Sequence, residues 1–124
     1  YQYLERVDLS FNSLTSLKYL NGLSFLTRIT ASHNQLTKVL DIKQPPLFLD
    51  WLDLSNNHIT VIPDLSSHLH LRVLKLNSNK LTHISGLQRN RALRVLDLSE
   101  NLIEEVTGLD GLGLRELYLS SNLI

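Results

Sequence analysis

Apolar residues recur along the chain in a fixed triplet, with an asparagine three positions after its last member. The triplet stands eight, five and three residues before the asparagine, as in Leu71, Leu74 and Leu76. Its one undersized member is Ala31. Successive asparagines are 21 to 23 residues apart, at Asn12, Asn34, Asn57, Asn79, Asn101 and Asn122. Self-similarity at a fixed period of this length is typical of repeat architectures. The pattern therefore predicts six stacked copies of one small unit.

The last two residues of each triplet are two apart, which is the spacing of one face of a β-strand. After each asparagine, apolar residues recur at irregular offsets, as in Leu81, Ile84 and Leu87, which favours a short return over a long helix. This is the leucine-rich-repeat pattern. The predicted fold class is an α/β leucine-rich-repeat solenoid of about six turns. We expect a curved parallel sheet on its concave side and short 3-10 or irregular returns on its convex side.

The repeating asparagine and two unusual returns have structural interpretations. An amide both donates and accepts, so we expect each asparagine to satisfy backbone groups where the chain turns inward. Gln44-Pro45-Pro46 in the second return predicts a local bulge on the convex side that leaves the sheet undisturbed. Gly108, Gly111 and Gly113 accompany the shortest return and indicate compact turns. A phosphate-binding loop would need a Gly-Lys-Ser/Thr ending, whereas the last of these glycines is succeeded by leucine and arginine.

Two positions of each strand are predicted to face outward, six and four residues before the asparagine. Parallel neighbours lie about 4.8 Å apart, so the same position in successive turns forms a column. The first column contains Arg6, Arg28, Trp51, Val73, Val95 and Glu116. The second contains Asp8, Thr30, Asp53, Lys75, Asp97 and Tyr118. All of these except Thr30 are candidate partner-binding residues on the concave face.

The middle of the first column is apolar at three adjacent outward positions, Trp51, Val73 and Val95. An exposed tryptophan with apolar neighbours on a polar face is typical of a binding hot spot. The alternative is a harmless surface tryptophan beside β-branched residues that merely suit strands. Arginines at one end of the column and Glu116 at the other would give the groove polarity.

In the second column, Lys75 lies between Asp53 and Asp97. We interpret this trio either as a self-neutralising surface network, in which exposed pairs contribute little, or as a polar contact that sets specificity for a partner. The position two before the asparagine is nearly always serine. Packing is the simplest interpretation of that serine column.

Composition argues against several classes of function. Twelve basic and twelve acidic residues give no net charge, which disfavours binding to nucleic acid or to a membrane surface. No apolar run approaches the roughly 18 residues needed to cross a bilayer, and the first residues show no signal-peptide pattern. The chain has no cysteine and no Asn-x-Ser/Thr acceptor site, which favours a cytoplasmic location. The alternative is a fragment of an extracellular repeat domain without its cysteine-rich caps.

Candidate chemistry is sparse. Aspartate and serine occupy separate columns of a shallow groove, without a pocket or a paired base and nucleophile, so we predict no enzymatic activity, no catalytic residues and no cofactor. Among five histidines, only His68 and His70 have a spacing that invites a metal. Two imidazoles without a third ligand do not make a tetrahedral zinc site, so we predict no metal site and interpret the histidines as surface polarity.

The whole chain resembles the 22-residue class of leucine-rich repeats typified by the regulator of protein phosphatase 1. The resemblance implies an intracellular protein. Four features resemble members that also carry a guanylate-kinase domain, namely Ala31-Ser32-His33-Asn34, Pro45-Pro46, Asp64-Leu65-Ser66 and the short fifth return. These features imply a cytoskeletal or ciliary adaptor with a kinase-like domain outside residues 1–124. Basic residues at Arg6, Arg28 and Lys75 depart from the acidic and aromatic concave contacts of the phosphatase regulator and argue against phosphatase binding.

Residues 1–124 are thus predicted to form a single domain that binds a protein partner on its concave face, as an adaptor or scaffold. The alternative function is a structural spacer within a larger, guanylate-kinase-like protein. Solenoids need polar caps, and the chain begins and ends inside a repeat. We therefore expect it to be an uncapped fragment of a longer chain.

Overall fold

Six three-residue strands form one parallel sheet in a computed structural model that describes residues 1–124. The strands are β1 (Arg6–Asp8), β2 (Arg28–Thr30), β3 (Trp51–Asp53), β4 (Val73–Lys75), β5 (Val95–Asp97) and β6 (Glu116–Tyr118). Each strand pairs in parallel with the next one along the chain, in the order β1-β2-β3-β4-β5-β6. The predicted leucine-rich-repeat solenoid is confirmed.

The strand register is the one that the repeat spacing predicts. Trp51 is aligned with Val73, and Val73 with Val95, while Asp53, Lys75 and Asp97 are aligned in the neighbouring column. The extra residue of the second return leaves the β2–β3 pairing intact, as expected. Both outward columns therefore run unbroken across the concave side of the sheet.

The core lies between the sheet and the returns. It is one cluster of 25 buried apolar residues from the turns of β2 to β5 and from the returns, and partly buried apolar residues of the first and last turns pack against it. The middle residues of β2 to β5, from Ile29 to Leu96, are fully buried. Leu117, in the last strand, remains 38% exposed because it has a neighbouring strand on one side only.

The repeating asparagine joins adjacent turns, as predicted. The Nδ2 of Asn57 donates to the carbonyls of Leu54 and Ser55 in its own turn and of Ala31 in the preceding turn, at 3.0 to 3.1 Å. Its Oδ1 accepts from the backbone N–H of Leu36 at 3.0 Å. The other asparagines that have a preceding turn repeat this pattern, so each one satisfies buried backbone groups of two turns.

The returns are short and mostly irregular, with one 3-10 helix at Lys18–Leu20. Gly108 and Gly111 have φ angles of +74° and +78°, which glycine adopts without steric strain and which agrees with the turn interpretation of the fifth return. None of the helical structure is long and apolar enough to span a bilayer.

Each strand ends in a backbone turn at the residue before the asparagine. That residue has a φ of 54° to 58° in all six turns, although none of the six is glycine. The residues are Phe11, His33, Asn56, Ser78, Glu100 and Ser121. In the first five turns its backbone N–H donates to the next turn, as His33 does to the Ser55 carbonyl at 3.1 Å. The left-handed conformation thus directs the chain inward while continuing the hydrogen-bond ladder.

Candidate functional site

The concave side of β3 to β6 forms a shallow depression of about 340 Å³. Seven of the eleven predicted binding residues line it, and these are Trp51, Val73, Lys75, Val95, Asp97, Glu116 and Tyr118. The other four lie on β1 to β3 outside the depression, and these are Arg6, Asp8, Arg28 and Asp53. The structure therefore brings the apolar strip and the acidic end together, while the basic end lies on the strands before it.

Trp51 is less exposed than the sequence predicted. The Arg28 guanidinium carbon lies 4.4 Å from the indole centroid, and the Lys75 Nζ lies 5.0 Å from it. The two cations come from strands on either side of β3 and leave the tryptophan half-buried. Each such contact contributes about 0.5–1 kcal/mol near a surface. The indole is consequently held in place, with part of its surface still open to the groove.

The aspartates beside Lys75 are engaged within their own turns. Asp53 Oδ1 accepts from the backbone N–H and the hydroxyl of Ser55, at 3.0 and 2.7 Å. Asp97 Oδ1 accepts from the backbone N–H of Ser99 at 3.0 Å. The ammonium of Lys75 lies over Trp51 instead. The interpretation of the three charges as a self-neutralising network is therefore wrong.

The serine column does more than pack, which corrects the simpler interpretation. Asp8 Oδ1 accepts from the backbone N–H of Ser10 at 2.9 Å, as in the third and fifth turns. The backbone N–H and then the hydroxyl of Ser10 hold the pKa of the Asp8 carboxyl below its ordinary value. The signal was present in the sequence, because Asp-x-Ser recurs at the end of three strands. These hydrogen bonds fix the orientation of the Asp8, Asp53 and Asp97 carboxylates on the concave face.

At the acidic end of the groove, Tyr118 and Glu116 act as a pair. The Tyr118 hydroxyl donates to Glu116 Oε1 at 2.9 Å. That hydrogen bond, together with the negative charge of Glu116, raises the pKa of the Tyr118 phenol. The Tyr118 phenol therefore stays protonated near neutral pH. The Glu116 carboxylate beside it can still accept further hydrogen bonds from a partner in the groove.

The surface interpretation of the histidines is wrong for His68, which is 4% exposed. It occupies the position eleven before the asparagine, where Leu23, Pro46 and Asn90 are also buried. Burial lowers the pKa of His68, and the Pro46 carbonyl opposes the shift. His70 stands instead on the surface with its ring 5.2 Å from that of Phe48. The structure contains no group of three side chains suited to hold a metal ion.

A second exposed surface, which is aromatic, was not predicted from the sequence. The position nine before the asparagine is aromatic in the first four turns, at Tyr3, Phe25, Phe48 and His70. We call these four residues the aromatic ladder. Phe25 is 53% and Phe48 62% exposed, and a depression of about 360 Å³ lies beside them at the amino ends of the strands. Aligning that position across the turns would have found it.

Comparisons with known proteins agree with this architecture. The Leucine Rich Repeat family model matches residues 48–69, which is one turn of the solenoid. No curated protein matches the chain. The chain nevertheless has the features of a leucine-rich-repeat protein in its repeat, its sheet and its asparagine ladder.

Three similar solved structures are internalins of Listeria monocytogenes. Internalin C2 is 27% identical with a TM-score of 0.85 over 96% of the chain and 53% of its own. The functional domain of InlJ, which includes a cysteine ladder, is 28% identical with a TM-score of 0.78 over 94% of the chain and 25% of its own. Internalin InlF, at 23% identity, has a TM-score of 0.81 over 93% and 34%. The chain thus spans between a quarter and about half of these structures, and it lacks the cysteines of such a ladder.

Proposed function

We propose that the chain is a protein-binding module whose partner lies on the concave face of the sheet. The observation that carries this proposal is the strip of Trp51, Val73 and Val95, three half-buried apolar side chains in register at the base of a depression. A strip of this kind can lose its remaining water contact only when another surface covers it. Aromatic anchors held rigidly in a groove lose little conformational entropy on binding, which favours a hot-spot role.

Charge along the concave face supports a defined orientation of the partner. Arg6 and Arg28 lie at the β1–β2 end, and Asp97 and Glu116 lie at the β5–β6 end. A partner with an apolar side chain over Trp51, acidic groups towards β1 and basic groups towards β6 would be complementary to this face. Complementarity of this type steers encounter and fixes register more than it adds affinity.

The proposal places the chain among binding modules and not among enzymes. The concave carboxylates accept hydrogen bonds from their own turns and stand in separate turns, so they do not converge on one reacting atom. An adaptor or scaffold role in the cytoplasm, in a cytoskeletal or ciliary setting, follows from the resemblance to the leucine-rich-repeat and guanylate-kinase-domain protein. The basic residues Arg6, Arg28 and Lys75 argue against phosphatase binding.

Affinity capture tests the concave site. The chain, its Trp51→Ala/Lys75→Glu variant and a matched Lys38→Glu/Val61→Ala variant are compared as baits, after circular dichroism and melting show equal folding. Lys38 and Val61 are exposed residues of the returns and form the control. A partner captured by the chain and by the control, but lost with the concave variant, supports the proposal. Capture of the same partner by all three baits contradicts the proposal and places that partner on another surface, and capture of no partner by any bait favours a spacer role.

A further inference from the structure

The aromatic ladder lies on the flank of the solenoid at the amino ends of the strands. Its members fall in the turns that lead into β1 to β4, one per repeat. The rings of Tyr3 and Phe25 are 5.6 Å apart and those of Phe48 and His70 are 5.2 Å apart. Leu47 and Leu69, next to the rings in the chain, are also more than half exposed. Contiguous exposed apolar area of this kind marks a contact surface rather than an isolated residue.

A basic column continues the same flank where the ladder ends. Arg72, Arg94 and Arg115 stand seven residues before their asparagines, and we call them the arginine column. They are adjacent because the backbone N–H of each donates to the carbonyl of the one before it, at 2.9 Å for Arg94 and 2.8 Å for Arg115. Arg94 is anchored by bonds from its Nη1 to the carbonyls of Arg91 and Leu93. Arg72 and Arg115 are exposed.

We propose that this flank docks an acidic protein segment that carries an aromatic or large aliphatic side chain. The apolar side chain would lie on Phe25 and Phe48, and carboxylates would lie opposite Arg72 and Arg115. Four strand spacings separate Phe25 from Arg115, roughly 19 Å, which about six extended residues span. A short unstructured segment is therefore long enough to contact both parts of the flank. Planar guanidinium groups bind carboxylates in a bidentate manner, which suits such a segment.

Two acidic residues favour a protein segment over a single-stranded nucleic acid, although aromatic rings and arginines also bind nucleotides. Glu5 lines the depression beside Phe25 and Phe48, and Asp50 precedes Arg72 in the column. A single-stranded nucleic acid whose bases stack on the aromatic ladder would bring its phosphates next to these carboxylates, which repel them. The same Asp50 and Arg72 line a depression of about 220 Å³ with Trp51, so the flank continues into the concave face.

Selection from a displayed library of random peptides, of roughly twelve residues and hence longer than the flank requires, tests the proposal. The bait is the whole chain. The variants are Phe25→Ser/Phe48→Ser, Arg72→Glu/Arg115→Glu and a matched control, Lys38→Glu/Lys80→Glu, which exchanges two exposed charges in the returns that follow the strands. All six substituted residues are exposed, so equal melting curves are expected.

The expected result is enrichment of peptides that combine Asp or Glu with Phe, Leu or Ile. Their dissociation constants should rise roughly tenfold or more with each flank variant and stay unchanged with the control. Replacing the acidic residues of a selected peptide by lysine should restore its binding to Arg72→Glu/Arg115→Glu. Binding to a Val95→Ala/Tyr118→Ala variant, whose residues line the concave depression but not the one shared with Arg72, should match that of the unaltered chain, which separates this surface from the proposed concave site.

Three results would overturn the proposal. The first is a selection without acidic and apolar enrichment, or one whose peptides bind the flank variants normally. The second is binding of a fluorescein-labelled single-stranded RNA of mixed sequence that is lost with Arg72→Glu/Arg115→Glu. The third is a dimer in sedimentation that Phe25→Ser/Phe48→Ser dissociates, which would assign the flank to a second copy of the chain.

Discussion

The inward and outward residues of each strand are neighbours in sequence but belong to two different regions of the molecule. The inward column from Ile29 to Leu96 is apolar and 0% exposed at every turn. The outward columns change from arginine through tryptophan and valine to glutamate. Inward side chains of β2 to β5 meet the same surroundings in each turn, whereas the core places no demand on the outward ones. The inward positions of β2 to β5 consequently carry the core, while the outward positions differ in chemistry from turn to turn.

Truncation of two adjacent residues of β4 should separate the contributions of the two faces to stability most strongly. Leu74 is fully buried and its replacement by Ala should lower the free energy of unfolding by about 2–5 kcal/mol. Val73 is half-buried, and its replacement by Ala should cost below about 1 kcal/mol. Urea melts of the two variants measure both values. Equal losses would show that the two faces do not differ in their contribution to stability.

The inward region was predictable from the sequence because one rule governs it. A leucine at the middle of β3 and another at the middle of β4 must both avoid water, so the repeat spacing alone aligns Leu52 with Leu74. The same alignment carries Trp51 beside Val73. The register of the outward columns is therefore a by-product of the core, and it was predicted for that reason.

The second largest effect concerns the asparagine ladder. Asn79 bridges two turns with four hydrogen bonds, so Asn79→Ala leaves buried backbone groups unpaired and should cost about 1–3 kcal/mol. Asn12 is exposed and bonds only to carbonyls of its own turn, which makes Asn12→Ala the matched control with a smaller loss. Thermal melts compare the two. A larger loss at Asn12 would contradict the bridging role.

A third effect depends on pH. His68 has a lowered pKa because it is buried, so the unfolded chain binds the proton more readily than the folded one. Stability should be complete above the ordinary value of 6.5 and should fall as the pH drops below it. His68→Leu should flatten this dependence in urea melts from about pH 7 to about pH 5. Asp8 and Asp64 titrate below their ordinary value of 3.8, outside that window. If stability falls with pH as steeply in His68→Leu as in the unaltered chain, His68 is not the source of the pH dependence.

The smallest expected effect concerns the two cations, Arg28 and Lys75, that lie over the Trp51 ring. Arg28→Ala or Lys75→Ala should each cost about 0.5–1 kcal/mol and should expose more of the indole. Trp51 is the single tryptophan, so its emission reports on this site alone. We expect a shift to longer wavelength and stronger quenching by acrylamide, with Arg6→Ala as the control. Emission that does not respond would mean that the two cations do not cover the ring.

The details of the site were less predictable than its register. Lys75 could pair with an aspartate or with Trp51, and in the structure its ammonium lies over the indole while Ser55 and Ser99 donate to the Oδ1 atoms of the two aspartates. The pattern of apolar positions along the sequence does not predict which of these partners Lys75 contacts. His68 and Phe48 were missed for another reason, since the positions eleven and nine before the asparagine belong to the returns, where apolar spacing is irregular.

Titration of the captured partner into the chain shows whether the concave face is the binding surface. Trp51 emission and acrylamide quenching are followed while calorimetry measures binding independently. We expect a shift to shorter wavelength and protection from quenching that saturate at the calorimetric stoichiometry, because the partner covers the indole. Binding in the calorimeter with unchanged emission and unchanged quenching would contradict it and place the partner on another face.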